Sequence, residues 1–296
     1  MPERLEILKT AKLYIAGKFV RTESGRYYHP KNSKDVSLGN ICLASRKDFR
    51  NAVVAARKAQ AAWSNRSAYN IGQILYRMAE NLEARKAEFV NILSKEDSLT
   101  SQKALSHVEQ CIDRIVYFAG WSDKFQQLYS SVNPTASSHF NFSIVEPTGV
   151  VAAICGKKSG FSGLVSAISA VICGGNTLVL LAEKNAPLSA VAFAEVLHHS
   201  DVPAGVVNIL TGEEEELSSH YSAHMDVNAL LTIGLAKEKV TPMKELAAEN
   251  VKRFIQWEIS ELQPTIFEKP LNIRSFLEVK TTWHPIEQIG GAQAAY

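Results

Sequence analysis

The stretch that decides the fold spans residues 149–181 and reads GVVAAICGKKSGFSGLVSAISAVICGGNTLVLL. Its apolar start, 149–155, predicts a buried strand, and the apolar run 161–173 is long enough for a helix. Residues 178–181 then predict a second buried strand. A strand, a helix and a strand in this order form the repeating unit of a parallel sheet that helices cover on both faces.

The same alternation continues to residue 258. We predict helices over 188–199, 213–224 and 242–249, and strands over 206–210, 229–233 and 252–258. Near-continuous Val, Ile and Leu in strands that alternate with helices are typical of doubly wound, dinucleotide-binding folds. The sequence therefore predicts an α/β protein with a doubly wound, Rossmann-like parallel sheet.

The residues on either side of this sheet predict a helical layer and two further strands. We predict a hairpin over 13–20 and helical blocks over 46–63, from a Ser67 cap to about 93, and from about 102 to 129. Residues 139–145 alternate Phe and Ile with polar residues, which predicts a half-exposed strand. Residues 275–283 predict a last, β-branched strand.

The composition excludes several classes of protein. The 296 residues are 46% hydrophobic and 21% charged, and the formal net charge is only +2, so we expect no nucleic-acid partner. No run of about 18 apolar residues and no signal peptide occurs, so we expect no membrane partner and a cytoplasmic location. The four cysteines form no CxxC pair, which favours reduced thiols and no metal site. They are Cys42, Cys111, Cys155 and Cys173.

A series of motifs resembles the aldehyde dehydrogenase superfamily over nearly the whole chain. The motifs are WSDKF at 121–125, EPTGVVAAI at 146–154, GGNTLVLL at 174–181, VPAGVVNILTG at 202–212, AENVKRF at 248–254 and FLEVKTTWHP at 276–285. Their order and spacing also match. The chain most resembles the second, degenerate module of the family-sixteen aldehyde dehydrogenases, which contain two such modules in tandem.

This resemblance implies an organisation in three parts. Residues 1–135 would form the N-terminal hairpin and helical layer, and 136–260 a vestigial NAD-type domain with a β-flap strand at 139–145. Residues 261–296 would form a linker and an oligomerisation strand. Only 262–274 separate the sheet from the last strand, so the catalytic domain of the family is expected to be missing.

The resemblance also implies the loss of the catalytic groups. In the family a cysteine thiolate attacks the aldehyde, an asparagine amide stabilises the oxyanion and a glutamate is the general base. Here Lys158 occupies the asparagine position, and no cysteine follows Gly175. Glu258 lies near the position of the base after a one-residue shift, whereas without the shift the position is Trp257. We expect Glu258 to be a vestigial base.

The cofactor-binding positions are altered in the same way. The lysine and glutamate that hold the adenosine ribose in the family are replaced by Leu181 and Lys184. A shifted Glu183 remains, but strand alternation would point it away from the ribose. Of the family's Phe-Thr-Gly-Ser turn, the glycine survives as Gly234. The remaining candidates for a cofactor contact are thus Lys157, Lys158, Glu183 and Gly234, and we expect no cofactor, or NAD or NADP bound only weakly.

The turn at 156–163, GKKSGFSG, is also a candidate phosphate-binding loop. It follows a strand and precedes a helix, but its glycine spacing is neither GxGxxG nor GxxxxGK[ST]. A small-residue turn with two solvated lysines is the favoured interpretation.

These observations predict a non-catalytic, aldehyde-dehydrogenase-like module with a structural, dimerisation or interaction role. Its partners would be a second copy of itself or an active aldehyde dehydrogenase module. Two alternatives remain open at this point: a regulatory module that binds NAD or NADP, and a residual NAD(P)-dependent aldehyde oxidoreductase or esterase that uses an unexpected cysteine.

Overall fold

The computed structural model describes residues 10–286. The strands are β1 (Thr10–Ala11), β2 (Leu13–Ile15), β3 (Lys18–Val20), β4 (Tyr27–Tyr28), β5 (Asn40–Cys42), β6 (Ser131–Asn133), β7 (His139–Pro147), β8 (Val150–Cys155), β9 (Thr177–Leu181), β10 (Val207–Leu210), β11 (Ala229–Ile233), β12 (Arg253–Trp257) and β13 (Leu277–Pro285). The helices are α1 (Arg46–Ser64), α2 (Ala68–Ala84), α3 (Lys86–Glu96), α4 (Ser101–Trp121), α5 (Phe125–Tyr129), α6 (Gly160–Cys173), α7 (Pro187–His198), α8 (Glu214–Ala223), α9 (Lys237–Ala248), α10 (Pro264–Phe267) and α11 (Leu271–Arg274), with a 3₁₀ turn over Ile259–Leu262.

The main sheet has seven strands in the order β12-β11-β8-β9-β10-β2-β3. The five strands from β12 to β10 are parallel, and β2 pairs antiparallel with β10. From β8 the chain winds through β9 to β10 and then crosses back to β11, on the other side of β8. The strand order therefore reverses between β8 and β11, and the predicted doubly wound sheet is confirmed.

A separate hydrophobic core covers each face of this sheet. Val151, Ala153 and Leu180 point to the side covered by α2, α4, α6 and α7. Ala152 and Val179 point to the opposite side, which α1, α8 and α9 cover. Because side chains alternate along a strand, a strand buried on both faces must be apolar at every position, and β8, β9 and β11 are buried throughout.

The helical layer contains more breaks than the sequence predicts. The block that begins after Ser67 divides at Arg85 into α2 and α3, and the block after residue 102 ends at Trp121 and resumes as α5. Arg85 binds the carboxylates of Glu88 and of Glu195 on α7, at 2.8 and 2.7 Å. This long-range anchor lies outside the apolar periodicity, so the pattern of the sequence alone does not show the break.

Two other boundaries differ from the prediction. Helix α9 begins at Lys237, before the predicted start, with Pro242 inside it. The stretch 262–272, for which the sequence analysis predicts no helix or strand, contains the end of the 3₁₀ turn, α10 and the beginning of α11.

Three strands, β6, β7 and β13, form a second sheet, which we call the flap. Strands β7 and β13 pair antiparallel over nine residues each, from Leu277 opposite Pro147 to Pro285 opposite His139. Strand β6 pairs with the other edge of β7. The two strands predicted on either side of the parallel sheet thus meet in the flap, although about 130 residues separate them in sequence.

Candidate functional site

The carboxyl ends of β8 and β11 form the place where a doubly wound sheet is expected to bind a ligand. The turn 156–159 leaves β8 there, and Gly234 follows β11. Every residue that the sequence singles out as a cofactor candidate lies at this edge, in the turns after β8, β9 and β11. The topology therefore brings the predicted site residues into one region.

The turn after β8 already holds a carboxylate of the chain itself. Glu183 accepts hydrogen bonds from Lys158 N at 3.0 Å and from Gly160 N at 2.7 Å. Gly160 is the first residue of α6, so Glu183 places its negative charge at the positive end of the α6 dipole. These are the backbone donors that a bound phosphate would use. The Glu183 carboxylate thus occupies the position at this turn that a bound anion would take.

The position of Glu183 differs from the expectation that it would point away. It lies in the turn beyond the last residue of β9, where the alternation of strand side chains no longer applies. Lys158 has a left-handed backbone with a φ of 71°, which a residue with a side chain seldom adopts. The side chains of Lys157 and Lys158 are exposed, as expected for solvated lysines. An exposed lysine lacks the fixed geometry that oxyanion stabilisation requires.

The turns that follow β8 and β11 are packed tightly against each other. A Cβ atom added to Gly156 would lie 2.5 Å from Leu235 Cδ1 and 2.9 Å from Gly234 O. The buried Leu235 replaces the family's serine donor, and Gly156 N donates to Ile233 O at 2.8 Å. Gly234 is itself packed against the 3₁₀ turn, because a Cβ there would lie 2.8 Å from Ile259 Cγ1. The turns after β8 and β11 are thus in close contact with each other and with the 3₁₀ turn.

A small cleft of about 180 Å³ lies beside these turns, and two of the three lysines that line it form ion pairs within the chain. Lys157, Lys184 and Lys239 line it, together with Leu181 and Glu183. Lys184 binds Glu213 at 2.7 Å, and Lys239 binds Glu214 at 3.0 Å and Glu215 at 2.7 Å. Lys158 does not line this cleft.

The acidic start of α8 is the feature that sequence reasoning missed here. In the sequence, the run of glutamates at 213–216 indicates only that negative charges lie at the start of a helix, where they interact favourably with its dipole. The lysines that these glutamates pair with follow β9 and β11, so only the fold shows the pairing.

The two candidate positions for the general base have different environments. Glu258 is exposed, accepts a hydrogen bond from Gln256 Nε2 at 2.7 Å and caps the 3₁₀ turn. Trp257 is buried, and its ring lies 4.8 Å from that of Phe267 and 5.8 Å from that of Phe276. The carboxylate of Glu258 is thus engaged locally, while the unshifted position belongs to the core.

All four cysteines are free and buried. Burial raises the pKa of Cys155 to about 12 and that of Cys111 to about 11, and it also raises the pKa of Cys173. A nucleophilic cysteine needs an accessible thiolate, which these environments suppress. Over residues 10–286, no cluster of three or more His, Cys, Asp and Glu side chains has the arrangement to hold a metal ion. In the same range, no helix is both long enough and apolar enough to span a bilayer.

The strand order, the switch point and the flap define an α/β protein with a doubly wound, Rossmann-like fold. More particularly, the chain belongs to the aldehyde dehydrogenase family, because the family model "Aldehyde dehydrogenase family" matches residues 19–278. The predicted membership is thereby confirmed. The finer likeness to family-sixteen modules stays a prediction.

Known relatives and structures extend beyond the present chain. Cytosolic 10-formyltetrahydrofolate dehydrogenase of Xenopus tropicalis is 31% identical over 260 residues, which are 86% of this chain and 29% of that protein. The NAD⁺ complex of an aldehyde dehydrogenase from Bacillus cereus superposes with a TM-score of 0.80 at 24% identity, over 84% of this chain and 51% of the other. Betaine aldehyde dehydrogenase of Staphylococcus aureus, also solved with NAD⁺, gives 0.79 at 20% identity, over 84% and 49%. The chain thus spans about half the length of these solved structures and less of the curated relative.

Proposed function

We propose that this chain is a non-catalytic aldehyde-dehydrogenase-like module, unable to oxidise aldehydes, whose role is association through its flap. The partner that the flap suits is a second flap of the same fold, in another copy of this chain. An active aldehyde dehydrogenase module is the other partner to be tested.

The observation that supports association is the orientation of β7. Asn141 and Ser143 are buried and share Asn133 Nδ2 as a donor, at 2.6 and 2.9 Å. The apolar residues that alternate with them point outward, and Phe140 and Ile144 are 46% and 36% exposed. The alternation predicted from the sequence is present, but its apolar side faces solvent. Such an arrangement is typical of a surface that a partner covers.

Neighbouring residues extend this apolar surface. Val132 on β6 lies opposite Phe142 and is 68% exposed. A groove of about 400 Å³ runs along Val132, Phe140, Phe142 and Ile144. Strands β6 and β13 are the edges of the flap, so each has backbone donors and acceptors available to another strand. An apolar face bounded by free strand edges suits a second sheet better than a small ligand.

The closed cofactor edge supports the non-catalytic part of the proposal. The Glu183 carboxylate fills the turn after β8, Leu235 packs against Gly156, and the four thiols are buried. A further part of the proposal is a cytoplasmic location, which the four unpaired cysteines support.

Light scattering after size exclusion tests the association. We expect a dimer, and we expect Phe140→Lys to shift it to a monomer because a charge then occupies the apolar face. Tyr69→Lys is the matched control, since Tyr69 is 71% exposed and lies on α2, which is not part of the flap sheet. A strict monomer that also ignores an added active aldehyde dehydrogenase would contradict the proposal.

Calorimetry and an aldehyde assay test the loss of catalysis. We expect no heat with millimolar NAD or NADP and no reduction of either in the presence of an aldehyde. The regulatory alternative is favoured by one observation, that Lys157 and Lys184 line the same cleft. Heat of nucleotide binding that Lys184→Ala abolishes would support that alternative, and turnover of an aldehyde would contradict the main proposal.

A further inference from the structure

A serine and a histidine meet where α4 packs against α6, outside the cofactor edge. His107 Nε2 and Ser162 Oγ are 2.6 Å apart, although 55 residues separate them in sequence. Both side chains are partly exposed. A hydroxyl within hydrogen-bond reach of an imidazole nitrogen is the arrangement that activates a serine nucleophile.

The surroundings of His107 suit a general base. Partial burial lowers the pKa of His107, and the positive charge of Arg114 on the same helix lowers it further. The imidazole is therefore neutral at neutral pH. In the tautomer with its proton on Nδ1, Nε2 accepts the proton of the serine hydroxyl.

The surroundings of Ser162 suit a nucleophile at the start of a helix. The first intrahelical bond of α6 joins Gly163 N to Ser159 O at 2.8 Å, so the N–H groups of Phe161 and Ser162 precede the bonded turns. Glu183 already accepts hydrogen bonds from Lys158 N and Gly160 N at this terminus, so the N–H groups of Phe161 and Ser162 are the ones left to donate to a developing oxyanion. Apart from its chain neighbours and the backbone of α6, no described residue lies within 4 Å of where a Cβ of Gly160 would stand, which leaves room for a small group beside this turn.

A second hydrogen-bond chain fixes the backbone of Ser162. Arg114 Nη1 donates to Ser166 Oγ at 2.7 Å, and Ser166 Oγ donates to Ser162 O at 2.5 Å. The neighbouring thiol of Cys111 lies 3.9 Å from Ser162 Oγ, but it is fully buried and its pKa is raised to about 11. The hydroxyl, and not the thiol, is thus the available nucleophile.

We propose that Ser162, with His107 as its base, is an acyl-acceptor site for small activated esters. Ser162 Oγ attacks the carbonyl carbon, and its proton passes to His107 Nε2. The bond from the carbonyl carbon to the ester oxygen breaks, and the leaving oxygen takes the electron pair. An alkoxide leaving group takes the proton back from His107, whereas with a phenolate the imidazolium releases that proton to solvent, so that His107 is neutral again in both cases. Water then attacks the acyl-serine and gives a proton to His107 Nε2, and this proton returns to Ser162 Oγ as the acyl bond breaks, which releases the acid and restores the hydroxyl. This inference is independent of the flap, and it does not involve aldehyde oxidation, which is the only catalysis whose loss is proposed above.

Acetylation of the whole chain by p-nitrophenyl acetate tests the site. The release of nitrophenolate measures the rate of the reaction, and peptide mapping identifies the residue that carries the acetyl group. We expect acetyl on the peptide that contains Ser162, and a loss of roughly 100-fold in the rate of its formation in His107→Gln. Ser162→Ala is expected to lose the modification. Ser106→Ala is the matched control, because Ser106 is an exposed serine beside His107 on α4 whose hydroxyl accepts a hydrogen bond from Gln110 at 3.3 Å.

The result that overturns the proposal is a peptide map in which the Ser162 peptide is acetylated no more than that of Ser106. Equal acetylation of Ser162 in the wild type and in His107→Gln would also overturn it, since the histidine would then only tether two helices. The wild-type map needs no variant, so the test stands even where a substitution prevents folding.

Discussion

Single residues at the cofactor edge show how its charges are balanced within the chain. Lysines occupy positions where the family resemblance implies neutral or acidic groups, and Lys184 and Lys239 are each paired with glutamates of α8. Glu183 satisfies backbone donors at the start of α6. These contacts stabilise this edge of the sheet and at the same time compete with an anionic ligand.

Glu183→Gln is expected to destabilise the fold. Glutamine keeps only one of the two side-chain oxygens, so it can replace only one of the hydrogen bonds from Lys158 N and Gly160 N. The favourable negative charge at the start of α6 is also lost. Together these changes are expected to lower the free energy of unfolding by about 1 kcal/mol. Urea unfolding measures the difference. Glu245→Gln is the control, as Glu245 is exposed on α9. An equal midpoint for the two variants would contradict the capping role of Glu183.

Glu96 is expected to make the stability depend on pH. Its buried carboxyl accepts from Ser189 N at 3.2 and 3.3 Å at the start of α7, and burial raises the pKa of Glu96 from 4.5 to about 8. Between these values the folded state binds more protons than the unfolded state, so this contribution is full below pH 4.5 and is lost as the pH rises through about 8.

Glu96→Gln checks this dependence, because glutamine keeps an acceptor for Ser189 N and does not titrate. We expect the wild type to lose stability relative to this variant as the pH rises from 5 to 8 in thermal melts. Parallel curves for the two proteins would show that Glu96 does not titrate in this range.

At the scale of elements, the turns after the parallel strands decide whether the edge is open. Gly234 has a φ of 64° and lies against the 3₁₀ turn that follows β12. This contact joins the ends of the neighbouring strands β11 and β12. It also helps to hold together the turns that follow β8 and β11. The sequence showed the glycine, but only the fold shows what it touches.

Gly234→Ala is expected to cost more stability than Gly25→Ala. Both glycines have positive φ values, 64° and 69°, so each variant has a strained backbone worth about 1 kcal/mol. Only at Gly234 would the new methyl also meet Ile259, whereas at Gly25 no described residue other than its chain neighbours lies within 4 Å of the added Cβ. Equal losses in chemical denaturation would contradict the close packing of this turn.

At the scale of the whole molecule, a short segment connects the parallel sheet to the flap. Residues 259–276 run from β12 to β13 and bury Leu262, Phe267, Ile273 and Phe276 in the core that includes α6. The buried Arg114 lies with its guanidinium carbon 4.8 Å from the centre of the Phe267 ring and donates to Leu262 O at 2.5 Å. The segment is thus a folded connection with its own share of the core.

Phe267→Ala is expected to destabilise the molecule by about 3–5 kcal/mol, because it leaves a cavity beside Trp257 and Arg114. Ile266→Ala, a neighbouring residue that is 42% exposed, is expected to cost less than about 0.5 kcal/mol. The free energies of unfolding of the two variants are compared by denaturant unfolding monitored by tryptophan fluorescence. A small loss for Phe267→Ala would show that 259–276 is only loosely attached.

Much of the fold could be predicted because its signals are local. The strands β8, β9 and β11 are continuous apolar runs, and helices buried on one side show an apolar stripe. The breaks at Arg85 and after Trp121 could not be predicted in this way, since the ion pair of Arg85 with Glu195 joins residues 110 positions apart. For the same reason the pair His107 and Ser162 has no signature in the sequence.

The sequence by itself determined the alternation of strands and helices, the family, and the residue types that stand at the cofactor positions, because each of these depends on neighbouring residues. Only the tertiary structure decided that the Glu183 carboxylate closes the turn after β8 and that Phe140 and Ile144 face solvent. A period of two places Phe140 and Asn141 on opposite faces of a strand but does not say which face is covered. That depends on strand pairings and packing across the whole chain, which no local pattern contains.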